Sequence, residues 1–209
     1  MNKIYFALLI IAAFLTSMGV WSQKIFAIEG YTASNTGKAS EMKAIPISGN
    51  KKTLTIYFSH SGNTREIANQ IHNKVGGDIF EIQTIRTYPS NYDAVVKQAR
   101  QELDSGFKPK LKAKMMNIDS YNVVFVGYPN WWGTIPMPLV TFFSEYNFQG
   151  KTIIPFCTHE GSRLGQSAKD IRKLCPQSTI LDGLAVRGGD VKKAQNQVSD
   201  WLLKIGMIK

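Results

Sequence analysis

The chain has 209 residues, 44% of them apolar, which supplies a full core for one ordinary domain plus an extension. Two cysteines, Cys157 and Cys175, and three histidines, His60, His72 and His159, are too few and too scattered for a disulfide framework or a metal quartet, so no metal site is expected. The formal net charge of +10 comes without a Lys/Arg run longer than two and without a nucleic-acid motif; it reads as a basic solvated face, open to acidic or anionic partners, and no nucleic-acid partner is expected.

Met1-Asn2-Lys3 opens onto residues 4–15, whose only polar side-chain atom is the Tyr5 hydroxyl, and residues 16–21 extend the apolar run. A charged start followed by such a run fits a secretory signal peptide. Ser22 and Ala27 are the small-residue candidates for cleavage, though neither sits in a clean small-x-small pattern. An uncleaved membrane anchor is the alternative, since residues 4–21 are barely long enough to span. Residues 1–27 are therefore assigned as a signal peptide or N-terminal anchor. Either way the domain is expected outside the cytoplasm, periplasmic or extracellular, or held at the membrane. Residues 28–51, with Gly, Ser, Thr, Asn, Lys and Pro46, have the composition of a flexible linker.

From residue 52 the pattern changes. Thr53-Leu-Thr-Ile-Tyr-Phe58 is short, β-branched and aromatic, as a buried strand is. Ile67, Ala68, Ile71 and Val75 follow at helical spacing. Between them lies the turn Ser59-His60-Ser61-Gly62-Asn63-Thr64. A strand turning directly into a helix exposes unpaired helix N–H groups, and the helix dipole adds partial positive charge there. Hydroxyls from Ser59, Ser61 and Thr64 can add hydrogen bonds. The turn lacks both a Gly-Lys-Ser/Thr ending and the dinucleotide glycine fingerprint. A cradle rich in hydroxyls and without a cation suits a singly attached monophosphate. The plain alternative is a polar strand-to-helix turn capped by Thr64.

A second strand is expected over 78–85. A helix capped by Ser90 or Asn91 should run to about Ser105, with Tyr92, Val95, Val96, Ala99 and Leu103 on one face, and stop at Gly106. After a lysine-rich connector over 107–120, residues 121–128 contain the continuous apolar run Val123-Val-Phe-Val-Gly127, which suits a central parallel strand covered on both faces. A helix follows over about 136–146, then a buried strand over 151–157, a loop over 158–165 and a helix to about Leu174. A short strand over 179–184 and a helix from Asp190 or Val191 to about Ile205 complete the chain.

Five alternations of strand and helix argue a doubly wound α/β fold with a five-stranded parallel sheet between two helical layers. In such folds ligands sit beyond the carboxyl ends of the strands. Three loops leave such ends: 59–64, 128–134 and 158–165. The second holds Trp131-Trp132, a candidate stacking platform for a flat ring, although either tryptophan alone could pack on the core. The third has Gly161 and Gly165, which permit close backbone approach.

With these loops the region from about residue 52 to 209 resembles the flavodoxin family, and within it the short-chain bacterial flavodoxin-like proteins. Ser59-His60-Ser61-Gly62-Asn63-Thr64, Tyr128-Pro129-Asn130-Trp131-Trp132-Gly133 and Thr158-His159-Glu160-Gly161-Ser162 carry the resemblance. Tyr88-Pro89 with Tyr92, and Glu102 with Pro109, extend it. The resemblance implies non-covalent FMN and redox work. It assigns the phosphate to Ser59, His60, Ser61, Gly62, Asn63 and Thr64. Ring contacts fall to Pro129, Asn130, Trp131, Trp132 and Gly133, then to Thr158, His159, Glu160 and Gly161. No side chain is needed as acid or base. An electron carrier serving a redox partner protein is expected. The alternatives are a reductase using NAD(P)H or a quinone, and a binding module that kept the fold without flavin. The basic charge departs from the acidic character usual in that family, and so do His159 and Arg163 in the third loop. Cys157, at the end of a buried strand, reads as a core thiol, His60 as a backbone contributor, and Tyr92 and Tyr146 as core or rim packing.

Overall fold

The computed structural model describes residues 52–209; the assignments made for residues 1–51, leader or anchor and linker, lie outside the described residues. Among the described residues no helix is long and apolar enough to cross a membrane.

The expected alternation is present. Strand β1 (Thr53–Tyr57) leads to α1 (Asn63–Val75), β2 (Asp78–Glu81) to α2 (Tyr92–Ser105), β3 (Val123–Pro129) to α3 (Met137–Glu145), and β4 (Thr152–His159) to α4 (Ser167–Leu174). The chain closes with β5 (Thr179–Ile180), β6 (Leu184–Arg187) and α5 (Gln195–Lys204). All strand pairs are parallel, in the order β2-β1-β3-β4-β5, with β6 also on β4. This is the doubly wound three-layer α/β/α arrangement.

The period of two along β3 decides which layer each residue feeds. Val124, Val126 and Tyr128 join Leu139 and Phe142 of α3 and Ile171 of α4 in one core. Val123 and Phe125 join Ile67 and Ile71 of α1 and Val198, Trp201 and Leu202 of α5 in the other. Both faces are covered, so the strand reads as an unbroken apolar run.

The sheet departs from the expected strands in three places, each for a local reason. The strand expected over 78–85 stops at Glu81: the Ile82 N–H makes the last bond to β1, at the Tyr57 carbonyl, and β1 itself ends there. Left without a parallel partner, residues 83–85 pair antiparallel with 110–112: the Ile85 N–H donates to Lys110 O and the Lys112 N–H to Gln83 O. The strand expected over 179–184 is divided. Ile153 O accepts the Leu181 N–H, but two residues on Pro155 has no N–H to continue the ladder. Pairing lapses through Asp182 and Gly183, where a Cβ on Gly183 would lie 2.9 Å from the Pro155 carbonyl oxygen, and resumes with Leu184 opposite Phe156. The Trp201 indole N–H takes up the Asp182 carbonyl. Finally, Gly188–Lys193 form a 3-10 turn, and α5 starts later than expected because the Val191 carbonyl is taken by the Gln70 amide and the Ala194 N–H.

Candidate functional site

The three loops leave the carboxyl ends of β1, β3 and β4, which are adjacent in the sheet. They enclose a cavity of about 520 Å³, within the usual size of a small-molecule site. Of the fifteen residues assigned to it, eleven line it: His60, Ser61 and Asn63, then Pro129, Asn130, Trp131 and Trp132, and finally Thr158, His159, Glu160 and Gly161. Ser59, Gly62, Thr64 and Gly133 stand behind this surface and shape it.

Gly62 takes φ +93 and caps α1 with no side-chain bond, so α1 begins at Asn63 rather than behind a Thr64 cap. The Gly62 carbonyl accepts the Glu66 N–H to start the helix. Ser59 Oγ accepts two loop amides, from Gly62 at 3.2 Å and Arg65 at 3.3 Å. The N–H groups of Ser61, Asn63 and Thr64 have no protein acceptor among the described residues, which leaves the donor cluster an anion needs. The Thr64 hydroxyl, expected to face the anion, is instead buried and paired with the Thr158 hydroxyl at 2.9 Å. The Arg65 guanidinium turns to Glu81. His60 has a side-chain role as well as a backbone one: its Nε2–H donates to the Pro89 carbonyl at 2.8 Å and fixes the cradle to the turn before α2.

The tryptophan loop is a two-residue hairpin. The Trp131 and Thr134 N–H groups donate to each other's carbonyls at 3.1 Å, and the central residues Trp132 and Gly133 take φ +54 and +82. Positive φ at both central positions is the type I′ geometry. It sends the two indoles in different directions. Trp131 packs edge-on against Phe58, Tyr88 and His60, so it is the one that rests on the core. Trp132 is 52% exposed; its indole N–H donates to the Val96 carbonyl, and Arg100 lies over its ring at 5.3 Å. These contacts hold a left-handed backbone that costs an L-residue about 1–2 kcal/mol.

Asn130 joins the second loop to the third. Its backbone N–H donates to Thr158 O at 2.8 Å and its side-chain amide to Arg163 O at 2.6 Å. Among the described residues its Oδ1 is buried with no donor, an unpartnered acceptor in a residue that lines the cavity. Gly165 does not face the cavity as expected: it abuts the Gly133 backbone, and the Gln166 N–H donates to Gly133 O at 2.7 Å. Cys157 is the core thiol expected, donating to Arg163 O, with burial pushing its pKa up to about 12.

His159 Nδ1 accepts the Gly161 N–H at 2.9 Å, which fixes the neutral Nε2–H tautomer. Its pKa lies below the ordinary value, first through burial and then through Arg163, opposed by Glu160 and aided by Arg187. A depressed folded pKa means that the unfolded chain binds more protons just below pH 6.5, so stability falls as pH drops through that window. Acidification from about pH 7.5 to 5.5 is expected to lower the melting temperature more in the wild type than in His159→Gln. Parallel melting curves for the two proteins over that range would refute this.

The cavity wall from α2 was missed. Val95 and Ala99, expected on one apolar helix face, are buried and line the cavity together with Val96, and Tyr92, read as core or rim packing, stands at its rim, 70% exposed. An amphipathic stripe shows that a face is covered but not by what. Ser162 lines the cavity, and Gly188 leaves room behind it for the Asn63 and Glu160 side chains, both of which a Cβ would strike. Tyr146 packs on Phe142 as expected, and its hydroxyl accepts the Met115 N–H.

Residues 52–205 match the family model described as flavodoxin. A structure described as a flavoprotein from Bacteroides eggerthii is 32% identical, over 75% of this chain and 98% of its own, with a TM-score of 0.66. A second, from Bacteroides uniformis, is 27% identical over 73% of this chain and 98% of its own, again with a TM-score of 0.66. A flavoprotein in complex with FMN from Lactobacillus acidophilus has 20% identity over 68% of this chain and 97% of its own, with a TM-score of 0.57. No curated protein matches.

Proposed function

Because the chain belongs to the flavodoxin family, we propose that it holds FMN and serves as an electron carrier between proteins. The observation that carries this reading is the placement of a lysine-free cluster of free amides beside an aromatic hairpin and an orphaned buried carbonyl, Asn130 Oδ1, in one cavity. That set fits a monophosphate joined to a flat ring with an N–H edge.

In this reading the amides of Ser61, Asn63 and Thr64 hold the phosphate, helped by the α1 dipole. Asn130 Oδ1 accepts from the ring edge. Val95, Val96 and Ala99 exclude water from one side, and the Trp131–Gly133 hairpin bounds another. FMN, when bound, supplies the redox chemistry; the protein positions it and tunes its potential. Exposure of Trp132 at the cavity supports transfer to an outside protein rather than capture of a small substrate.

The absorbance spectrum of the purified protein, repeated after adding FMN, tests the reading. Flavin bands perturbed from those of free FMN are expected, with no consumption of NAD(P)H by the loaded protein. A protein that never takes up FMN overturns the cofactor, and steady NAD(P)H oxidation overturns the carrier role. Arg163 in the third loop and Arg187 at the end of β6 both depress the His159 pKa, against the opposing effect of Glu160. Positive charge favours the reduced, more negative cofactor. Arg163→Ala is therefore expected to lower the reduction potential by on the order of tens of mV, the scale of one partly screened charge. An unchanged or higher potential in a redox titration would count against it.

A further inference from the structure

We propose that the groove between the 83–88 segment, the last turns of α2 and the 107–112 segment is a docking site for an acidic segment of a partner protein. The sequence dictates the groove's charge. Residues 107–114 read Phe-Lys-Pro-Lys-Leu-Lys-Ala-Lys. The antiparallel bridge between Thr84 and Leu111, with its two flanking backbone bonds, holds the middle of this stretch extended. In an extended chain alternate side chains share a face. Pro109 is buried and Leu111 packs against the core, so Lys108, Lys110 and Lys112 are all turned outward, and Lys114 continues the exposed row.

Arg86 adds a fifth cation from the paired segment. Residues 82–92 and 105–118 contain no Asp or Glu. Among the described residues none of these five cations has a carboxylate partner within salt-bridge distance. The one carboxylate in the groove, Glu102, is buried and already accepts from the Tyr88 hydroxyl at 2.6 Å and the Gln98 amide at 2.8 Å.

The groove also has an apolar centre. Phe107 is 54% exposed and Ile85 62%, and both line a cavity of about 680 Å³ with Arg86, Lys108 and Lys110. An apolar anchor point ringed by charge is the pattern of a protein interface. Unpaired cations of one sign select an acidic partner by attraction and reject basic ones by repulsion. They also disfavour a second copy of this chain, whose net charge is +10. A concave groove suits a projecting segment better than a flat lipid surface.

Tyr88 connects the groove to the candidate site. It lines the groove, and its ring meets Trp131 edge-on with centroids 5.0 Å apart. A partner seated here lies against the cluster that walls the cofactor cavity. The proposal deepens the carrier reading, but its test does not depend on flavin.

The probe is a synthetic peptide of alternating Glu and Asp with one central Phe, titrated into the full-length chain by calorimetry, with and without added FMN. Saturable binding is expected. It should weaken about tenfold or more between about 50 and 300 mM salt, and by a similar factor in Lys108→Glu/Lys110→Glu. Phe107→Ser should weaken it at constant salt sensitivity. The charge-reversed variant should take up FMN as the wild type does, which separates failure of docking from failure of the cofactor reading. Absence of peptide binding to the wild type, or binding indifferent to the charge reversal, would overturn the proposal. So would charge-sensitive binding to anionic phosphatidylglycerol vesicles in the absence of peptide binding, which would assign the row to a membrane.

Discussion

Ser61→Asp is expected to weaken FMN binding about a hundredfold while leaving riboflavin binding nearly unchanged. Ser61 is exposed in the turn between β1 and α1, and its amide is one of the three free donors. The substitution adds a carboxylate where a phosphate of about −1.5 to −2 charge would rest. Two unit charges about 4 Å apart interact by about 4 kcal/mol at an effective dielectric near 20. Solvent and salt at this open position reduce that to an expected 2–3 kcal/mol, or roughly 30–200-fold in affinity. Folding should be nearly untouched, since an exposed substitution of this kind ordinarily stays within about 0.5 kcal/mol. Riboflavin has the ring without the phosphate, so it isolates the cradle from the aromatic wall. Quenching of flavin fluorescence on titration measures both. Equal losses for the two ligands would mean that the turn does not hold the phosphate.

The cradle could be read in the sequence because its chemistry is local. A strand, a hydroxyl-rich turn with glycine and a helix place free amides at one point whatever the rest of the chain does. The alternation of elements was equally plain, since Val123 to Tyr128 is apolar on both faces and only a covered parallel strand has that use. What was hidden depends on partners far away in the chain. The Thr64 hydroxyl meets Thr158, and the His60 imidazole meets Pro89, across separations that a single sequence does not resolve. The stripe on α2 announced burial, but not that part of what it covers is a cavity. The two tryptophans could not be told apart until the hairpin fixed their directions, although Gly133 was a hint, because a type I′ turn favours glycine at its second central position. The break between β5 and β6 was legible after all. Pro155 stands in the middle of β4, and a proline inside a strand signals a missing ladder bond on one side.

Gly165→Val is expected to cost about 2–4 kcal/mol of stability and to weaken FMN binding at least about tenfold, because it separates the two loops proposed to carry the ring contacts. Gly165 has φ +54, and a Cβ there would lie 2.3 Å from the Gly133 carbonyl oxygen and 2.9 Å from its carbon. The left-handed backbone alone costs an L-residue about 1–2 kcal/mol. The clash is with backbone and cannot be relieved by rotating a side chain. The hairpin must move away, and the bond from the Gln166 N–H to Gly133 O breaks with it, at about 0.5–1.5 kcal/mol. Asn130 then loses its register with Thr158 and Arg163, to both of which it donates. For a domain of this size the cost corresponds to a fall in melting temperature of roughly 5–15 °C. Gly189→Ala is the control: its Cβ meets nothing within 4 Å and its φ is ordinary, so it should be nearly silent. Calorimetric melting and FMN titration of both variants decide the matter. If Gly165→Val melts lower yet binds FMN normally, the contact between Gly133 and Gly165 serves the fold alone, and the cavity does not depend on how closely its second and third loops approach.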